Sequence, residues 1–133
     1  MNKLRCNMDY LDNEYSVPVI IGEGNDTDRV AVYIFKRMGI RPFIFASKFT
    51  LTQRIFCKCR KLPSSSHCIL EDALLTLANT ADGYYSPLLI YCTKKAEQFV
   101  KERSQIIESA YICVSHVDLL ANKSIENKGG QPI

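Results

Sequence analysis

The segment from Val17 to Ala46 constrains this chain more than any other. Val17-Pro18-Val19-Ile20-Ile21 is a β-branched apolar run that ends at Gly22. Unbroken apolarity, without alternation, suits a strand covered on both faces, and Pro18 is tolerated near such a strand's start. Gly22-Glu23-Gly24-Asn25-Asp26-Thr27-Asp28 reads as a turn whose glycines permit positive φ and whose Asn, Asp and Thr offer helix N-caps. Val30, Ala31, Ile34, Phe35 and Met38 then recur at three- and four-residue steps, one apolar stripe of a helix closed by Gly39. Pro42-Phe43-Ile44-Phe45-Ala46 is the next short apolar run. Strand, glycine turn, helix, glycine, strand is a βαβ crossover, and such crossovers are parallel and right-handed.

The remainder repeats this alternation. Phe49 to Cys57 reads as a further strand or an irregular stretch, and Leu62 to Ser66 as a loop. Leu70, Ala73, Leu74, Leu77, Ala78 and Ala81 form a second helical stripe with Glu71 and Asp72 in its first turn, stopped at Asp82-Gly83. Pro87 to Cys92 is a third strand. Thr93 caps a helix holding Ala96, Phe99, Val100, Arg103 and Ile107. Ala110 to Val114 is a fourth strand, and 116–122 starts a short helix. The expected fold is α/β, a Rossmann-like three-layer α/β/α arrangement with a mostly parallel sheet of four or five strands. Residues 1–16 read as an N-terminal extension, 17–123 as the domain and 124–133 as a flexible tail; 133 residues suffice for one domain.

Charge excludes some partners. The 17 basic and 14 acidic residues give +3, too little to imply a nucleic-acid or membrane partner. Five cations (Lys48, Arg54, Lys58, Arg60, Lys61) and no acid fall between Lys48 and Lys61, so the rest of the chain is at −2. That stretch is expected to be a solvated basic face. No apolar run reaches the roughly 20 residues of a membrane span, and no signal peptide is visible, so a cytoplasmic location is expected. The six cysteines are expected to be reduced. Cys57-x-Cys59 with His67-Cys68 is the one metal-like cluster, but its spacing departs from zinc knuckles and no metal is expected there.

The chemically suggestive place is the turn Gly22, Glu23, Gly24, Asn25, Asp26, Thr27. A glycine turn opening a helix presents free N–H groups and a positive dipole end to an anion. The pattern is incomplete as a dinucleotide fingerprint, Glu23 and Asp26 place negative charge beside it, and Ala46-Ser47-Lys48 supplies no ribose-binding acid. On the residues alone a structural strand-to-helix turn is the favoured reading.

The phrases Pro18-Val-Ile-Ile-Gly-Glu-Gly-Asn-Asp-Thr27, Lys36-Arg-Met-Gly-Ile40, Pro42-Phe-Ile-Phe45, Pro87-Leu-Leu-Ile-Tyr91 and Asp118-Leu-Leu-Ala-Asn-Lys123 resemble the N-terminal pre-ATP-grasp domain of ATP-grasp carboxylate–amine ligases, the group of D-aspartate ligase and carbamoyl phosphate synthase-like proteins. The resemblance spans about residues 17 to 123. It implies a substrate-side domain that is catalytically incomplete alone, with ATP and Mg²⁺ as cofactors of the full-length enzyme and none in this chain. It implies that the turn from Gly22 to Thr27 helps to hold the non-nucleotide substrate, a small amino-acid-like ligand. Its partners would be ATP-grasp domains in cis or a second copy of the chain, with no nucleic acid and no membrane. The alternative is a stand-alone Rossmann-like binding or interaction module without catalysis.

Overall fold

A computed structural model describes residues 16–64, 66–80 and 86–121. The expected extension and tail, Cys6 and the Asp82-Gly83 stop lie outside or almost wholly outside these residues. Five strands, β1 (Ser16–Ile21), β2 (Phe43–Ala46), β3 (Lys58–Lys61), β4 (Ser86–Tyr91) and β5 (Ile112–Ser115), form one sheet in the order β3-β2-β1-β4-β5. Every pairing is parallel, with Val19 opposite Phe43 on one side and Leu89 on the other. The helices are α1 (Asn25–Met38), α2 (Leu51–Phe56), α3 (His67–Thr80), α4 (Lys94–Glu102), α5 (Ser104–Ala110) and a last one, α6, over 116–121. The fold is the expected Rossmann-like α/β/α sandwich.

Two apolar layers cover the sheet. Alternate residues of each central strand point to opposite faces, so Ile20, Ile44 and Ile90 join Val30, Ala31 and Ile34 of α1 and Leu119 of α6. Val19, Ile21 and Leu89 join Leu74 of α3, Phe99 and Val100 of α4 and Ile107 of α5. Val19, Ile20, Leu89 and Ile90 are fully buried, which explains why β1 and β4 read as unbroken apolar runs. Tyr111 ties the second layer together, its phenol donating a 2.6 Å hydrogen bond to the Leu74 carbonyl.

Four local expectations are corrected. Within the segment from Phe49 to Cys57, Leu51–Phe56 forms helix α2, followed by β3. Thr50 caps α2 in a reciprocal capping box: Thr50 Oγ1 accepts from the Gln53 N–H and Gln53 Oε1 accepts from the Thr50 N–H. The basic stretch is therefore a helix and an edge strand. Helix α3 starts at His67, three residues early, so Glu71 and Asp72 lie beyond its first turn. The helix expected from Thr93 through Ile107 breaks into α4 and α5 at Arg103 (φ −121°, ψ 28°). There the Arg103 guanidinium stacks 4.8 Å from the Phe99 ring centroid and its Nε donates to Glu71 at 3.0 Å. α5 then carries Ala110, and β5 starts at Ile112.

Candidate functional site at the topological switch point

In an open parallel sheet the loops after two neighbouring strands diverge to opposite faces where the strand order reverses, and ligands bind in the crevice this opens. Here the reversal falls between β1 and β4. β1 runs into α1 in one layer; β4 runs into α4 in the other. The turn from Gly22 to Thr27 therefore stands beside Cys92 and Thr93, at the carboxyl ends of the two central strands.

The turn needs glycine for two reasons. Gly22 has φ +130°, and a Cβ built there meets Cys92 Cβ at 3.1 Å and Cys92 N at 3.3 Å. The chains are this close because the Cys92 N–H donates to the Ile21 carbonyl at 3.0 Å, extending the β1–β4 ladder. Gly24 has φ +100° with open space around it. It is the N-cap of α1, its carbonyl accepting from Thr27 N–H at 3.1 Å and Asp28 N–H at 3.4 Å, with no side-chain cap bond. This corrects the expectation that Asn, Asp or Thr would cap: Asn25, Asp26 and Thr27 are the first residues of the helix itself. The amides of Asn25 and Asp26 have no intrahelical acceptor.

The six residues divide by exposure. Glu23, Gly24 and Asn25 are exposed, and Gly22 and Asp26 are half-buried. Thr27 is fully buried, and its Oγ1 makes no hydrogen bond of good geometry. It is sealed beneath Gly22 and near the Cys92 thiol, so its role is packing. Burial pushes that thiol up to about 12; the adjacent Thr27 hydroxyl works against the rise and Asp26 adds to it. Cys92 is thus a protonated wall of the crevice and a poor nucleophile.

Three further elements supply charge. Asp26 lies 3.4 Å from Arg29 of its own helix and 3.5 Å from His116 Nε2, just beyond β5. Ser115 Oγ accepts from the Asp118 N–H at 3.0 Å, which starts the helix over 116–121 and fixes His116 at the crevice. Thr93 caps α4 by accepting from the Ala96 N–H at 3.1 Å, and exposed Lys94 and Lys95 follow in the first turn of α4. Cations and carboxylates thus share one rim. Cys92, Thr93 and His116 were not legible as site residues, because only the strand order brings their loops to Gly22. Thr93 as a cap was legible.

Asp28, close in sequence, serves the fold. Its Oδ1 accepts from Gln53 Nε2 at 2.9 Å and Thr50 Oγ1 at 3.1 Å, docking α2 onto α1. Ser47 and Lys48 follow β2 and are exposed. The four metal-like residues are not brought together: Cys57 is buried in the α1 layer, whereas His67 meets the Phe99 ring edge to face in the other layer and Cys68 is exposed. Among the described residues no group of three or more His, Cys, Asp or Glu side chains converges on a point that a metal could occupy. No helix among them is long and apolar enough to cross a membrane. Neither a family model, nor a curated protein, nor a solved structure matches the chain.

Proposed function

We propose that this chain is the substrate-side Rossmann-like domain of an ATP-dependent carboxylate–amine ligase, working in the cytoplasm and binding a small amino-acid-like molecule at the switch point. One observation carries the reading: the glycine turn that resembles the ligase phrase stands beside β4, at the crevice where open α/β sheets hold their ligands. The rim suits a zwitterion. Free amides of the first turn of α1, with Lys94 and Lys95 across the crevice, favour a carboxylate; Glu23 and Asp26 favour an ammonium group.

The described residues do not fit a magnesium–nucleotide site. Glu23 is exposed and alone, Asp26 is held by Arg29 and His116, and Asp28 is spent on Thr50 and Gln53. ATP and Mg²⁺ belong, on this reading, to ATP-grasp domains that act with this one. This chain's part is to bind and orient: a ligand lying across Gly24 faces backbone donors whose position is set by α1 and needs no reorganisation.

The test is binding. A panel of amino acids should saturate the purified chain at around millimolar concentration, since a few charge-assisted bonds on one wall of a cleft supply only a few kcal/mol. Gly24→Trp, which places a large side chain at the open turn, should abolish it. Binding of equal strength in that variant overturns the assignment.

A further inference from the structure

Among the described residues β3 is an edge strand, with a neighbour on one side only. The Lys58 N–H donates to the Pro42 carbonyl and the Leu62 N–H to the Ala46 carbonyl, both at 2.8 Å. In a parallel strand the N–H and C=O of one residue point the same way and successive residues alternate. The main-chain groups of Cys59 and Lys61 therefore face away from β2, and no strand among the described residues pairs with them.

The side chains around that edge carry one sign of charge. Lys58, Arg60 and Lys61 are exposed, and Lys58 Nζ and the Arg60 guanidinium lie 5.0 and 5.2 Å from the Phe43 ring centroid. No carboxylate among the described residues pairs with Arg54, Lys58, Arg60 or Lys61. On the other side of the edge lies α2. The Cys59 thiol donates to the Gln53 carbonyl at 3.4 Å, and Arg54 is near enough to Cys59 to oppose the rise that burial imposes on that thiol. Leu51 and Ile55 flank Arg54 on the outer surface of this helix and are 73% and 50% exposed. An apolar pair this exposed beside a strand edge is the composition of an interaction surface.

We infer that the β3 edge takes an extended acidic segment of another protein as an added sixth strand. Its main chain would pair with Cys59 and Lys61. Its alternate side chains would fall on two faces: carboxylates toward Lys58 and Arg60, apolar groups toward Leu51 and Ile55. A second copy pairing β3 against β3 sets Lys and Arg beside Lys and Arg, which is unfavourable. Single-stranded nucleic acid needs open aromatic faces for stacking, and here Lys58 and Arg60 lie over Phe43 while Leu51 and Ile55 offer none. This surface is separate from the switch point and does not rest on the ligase reading.

The experiment uses the ¹⁵N-labelled chain and an acetylated, amidated hexapeptide alternating glutamate with valine. The expected result is chemical-shift change and at least about tenfold slower hydrogen exchange at the Cys59 and Lys61 amides, weakening as salt is raised toward about 0.5 M. K58E/R60E should weaken binding by about tenfold or more. Leu51→Asp, on the far side of the edge, should also weaken it and serves if the first variant does not fold. The inference is overturned if a peptide alternating lysine with valine binds equally, or if an oligouridylate shifts these amides and the acidic peptide does not. It is also overturned if the chain self-associates through β3, or if the acidic peptide leaves both amides unchanged.

Discussion

The imidazole Nε2 of His116 lies 3.5 Å from Asp26 Oδ2, joining the end of β5 to the first turn of α1 across the mouth of the switch-point crevice. Asp26 is half-exposed and shares the contact with Arg29, so the pair contributes little to stability, on the order of 0.5 kcal/mol or less. His116→Ala should leave the urea midpoint nearly unchanged. It should alter amino-acid affinity measurably, because it removes the imidazole that faces Asp26. An unfolding shift above about 2 kcal/mol with no change in affinity would make the contact structural.

The two glycines of the turn should separate packing from access. Gly22→Ala combines positive φ with a Cβ 3.1 Å from Cys92 Cβ and 3.3 Å from its backbone N, so it should cost about 2–4 kcal/mol in denaturant titration. Gly24→Ala meets nothing within 4 Å and should cost only the strain of its φ +100°, ψ −171° backbone, about 1–3 kcal/mol and less than Gly22→Ala. Equal costs would show that the close approach of β1 and β4 is not what demands glycine at position 22.

Alkali should destabilise the protein. Burial pushes the Cys57 and Cys92 thiols up to about 12 from an ordinary 9.0, and it raises the Tyr111 phenol as well. Above pH 9 the unfolded chain gives up these protons while the folded chain keeps them, so stability falls as pH rises from about 9 to 12. The loss should reach several kcal/mol by about pH 11. Equilibrium unfolding at pH 7.5, 9.5 and 10.5 checks this, and C57A/C92A should flatten the decline. Among the described cysteines, a thiol reagent at pH 8 should modify exposed Cys68 first and reach Cys57 and Cys92 only on unfolding.

The hydrogen bond from Tyr111 to the Leu74 carbonyl spans the second layer, joining the residue just before β5 to the middle of α3. Tyr111→Phe keeps the ring and removes the bond, and should cost about 1–2 kcal/mol by urea denaturation. A loss below about 0.3 kcal/mol would mean that packing alone holds α3 against β5.

Where these elements were legible, the reason was burial. β1 and β4 are covered on both faces, so their apolar runs stand out, and α1 announces itself by its stripe and Gly39. α2 was hidden because six residues hold too few apolar positions to show a period. Its signal was the Thr50-x-x-Gln53 capping box, which is local and independent of periodicity. β3, with Lys58, Arg60 and Lys61 on an edge, has no buried face to read. At the break Arg103 pairs with Glu71, 32 residues away, a contact that no local pattern announces. Gly22 to Thr27 could be singled out as a turn, whereas the burial of Thr27 and the nearness of Cys92 follow from strand order.

The proposed division of labour predicts no magnesium-dependent ATP hydrolysis by the purified chain, because its described carboxylates are exposed singly or already bonded. Phosphate release that requires Mg²⁺ and is abolished by Gly24→Trp would overturn that division.

The central claim is that the crevice between β1 and β4 binds a small zwitterion. Amide chemical shifts of the ¹⁵N-labelled chain, recorded during titration with amino acids, inorganic phosphate and ATP, test it residue by residue. The account predicts that amino acids shift Gly22 to Asp26 together with Thr93 and His116, saturating near millimolar concentration. Shifts confined to the segment from Lys48 to Lys61, or absent from the turn at saturating ligand, would contradict it.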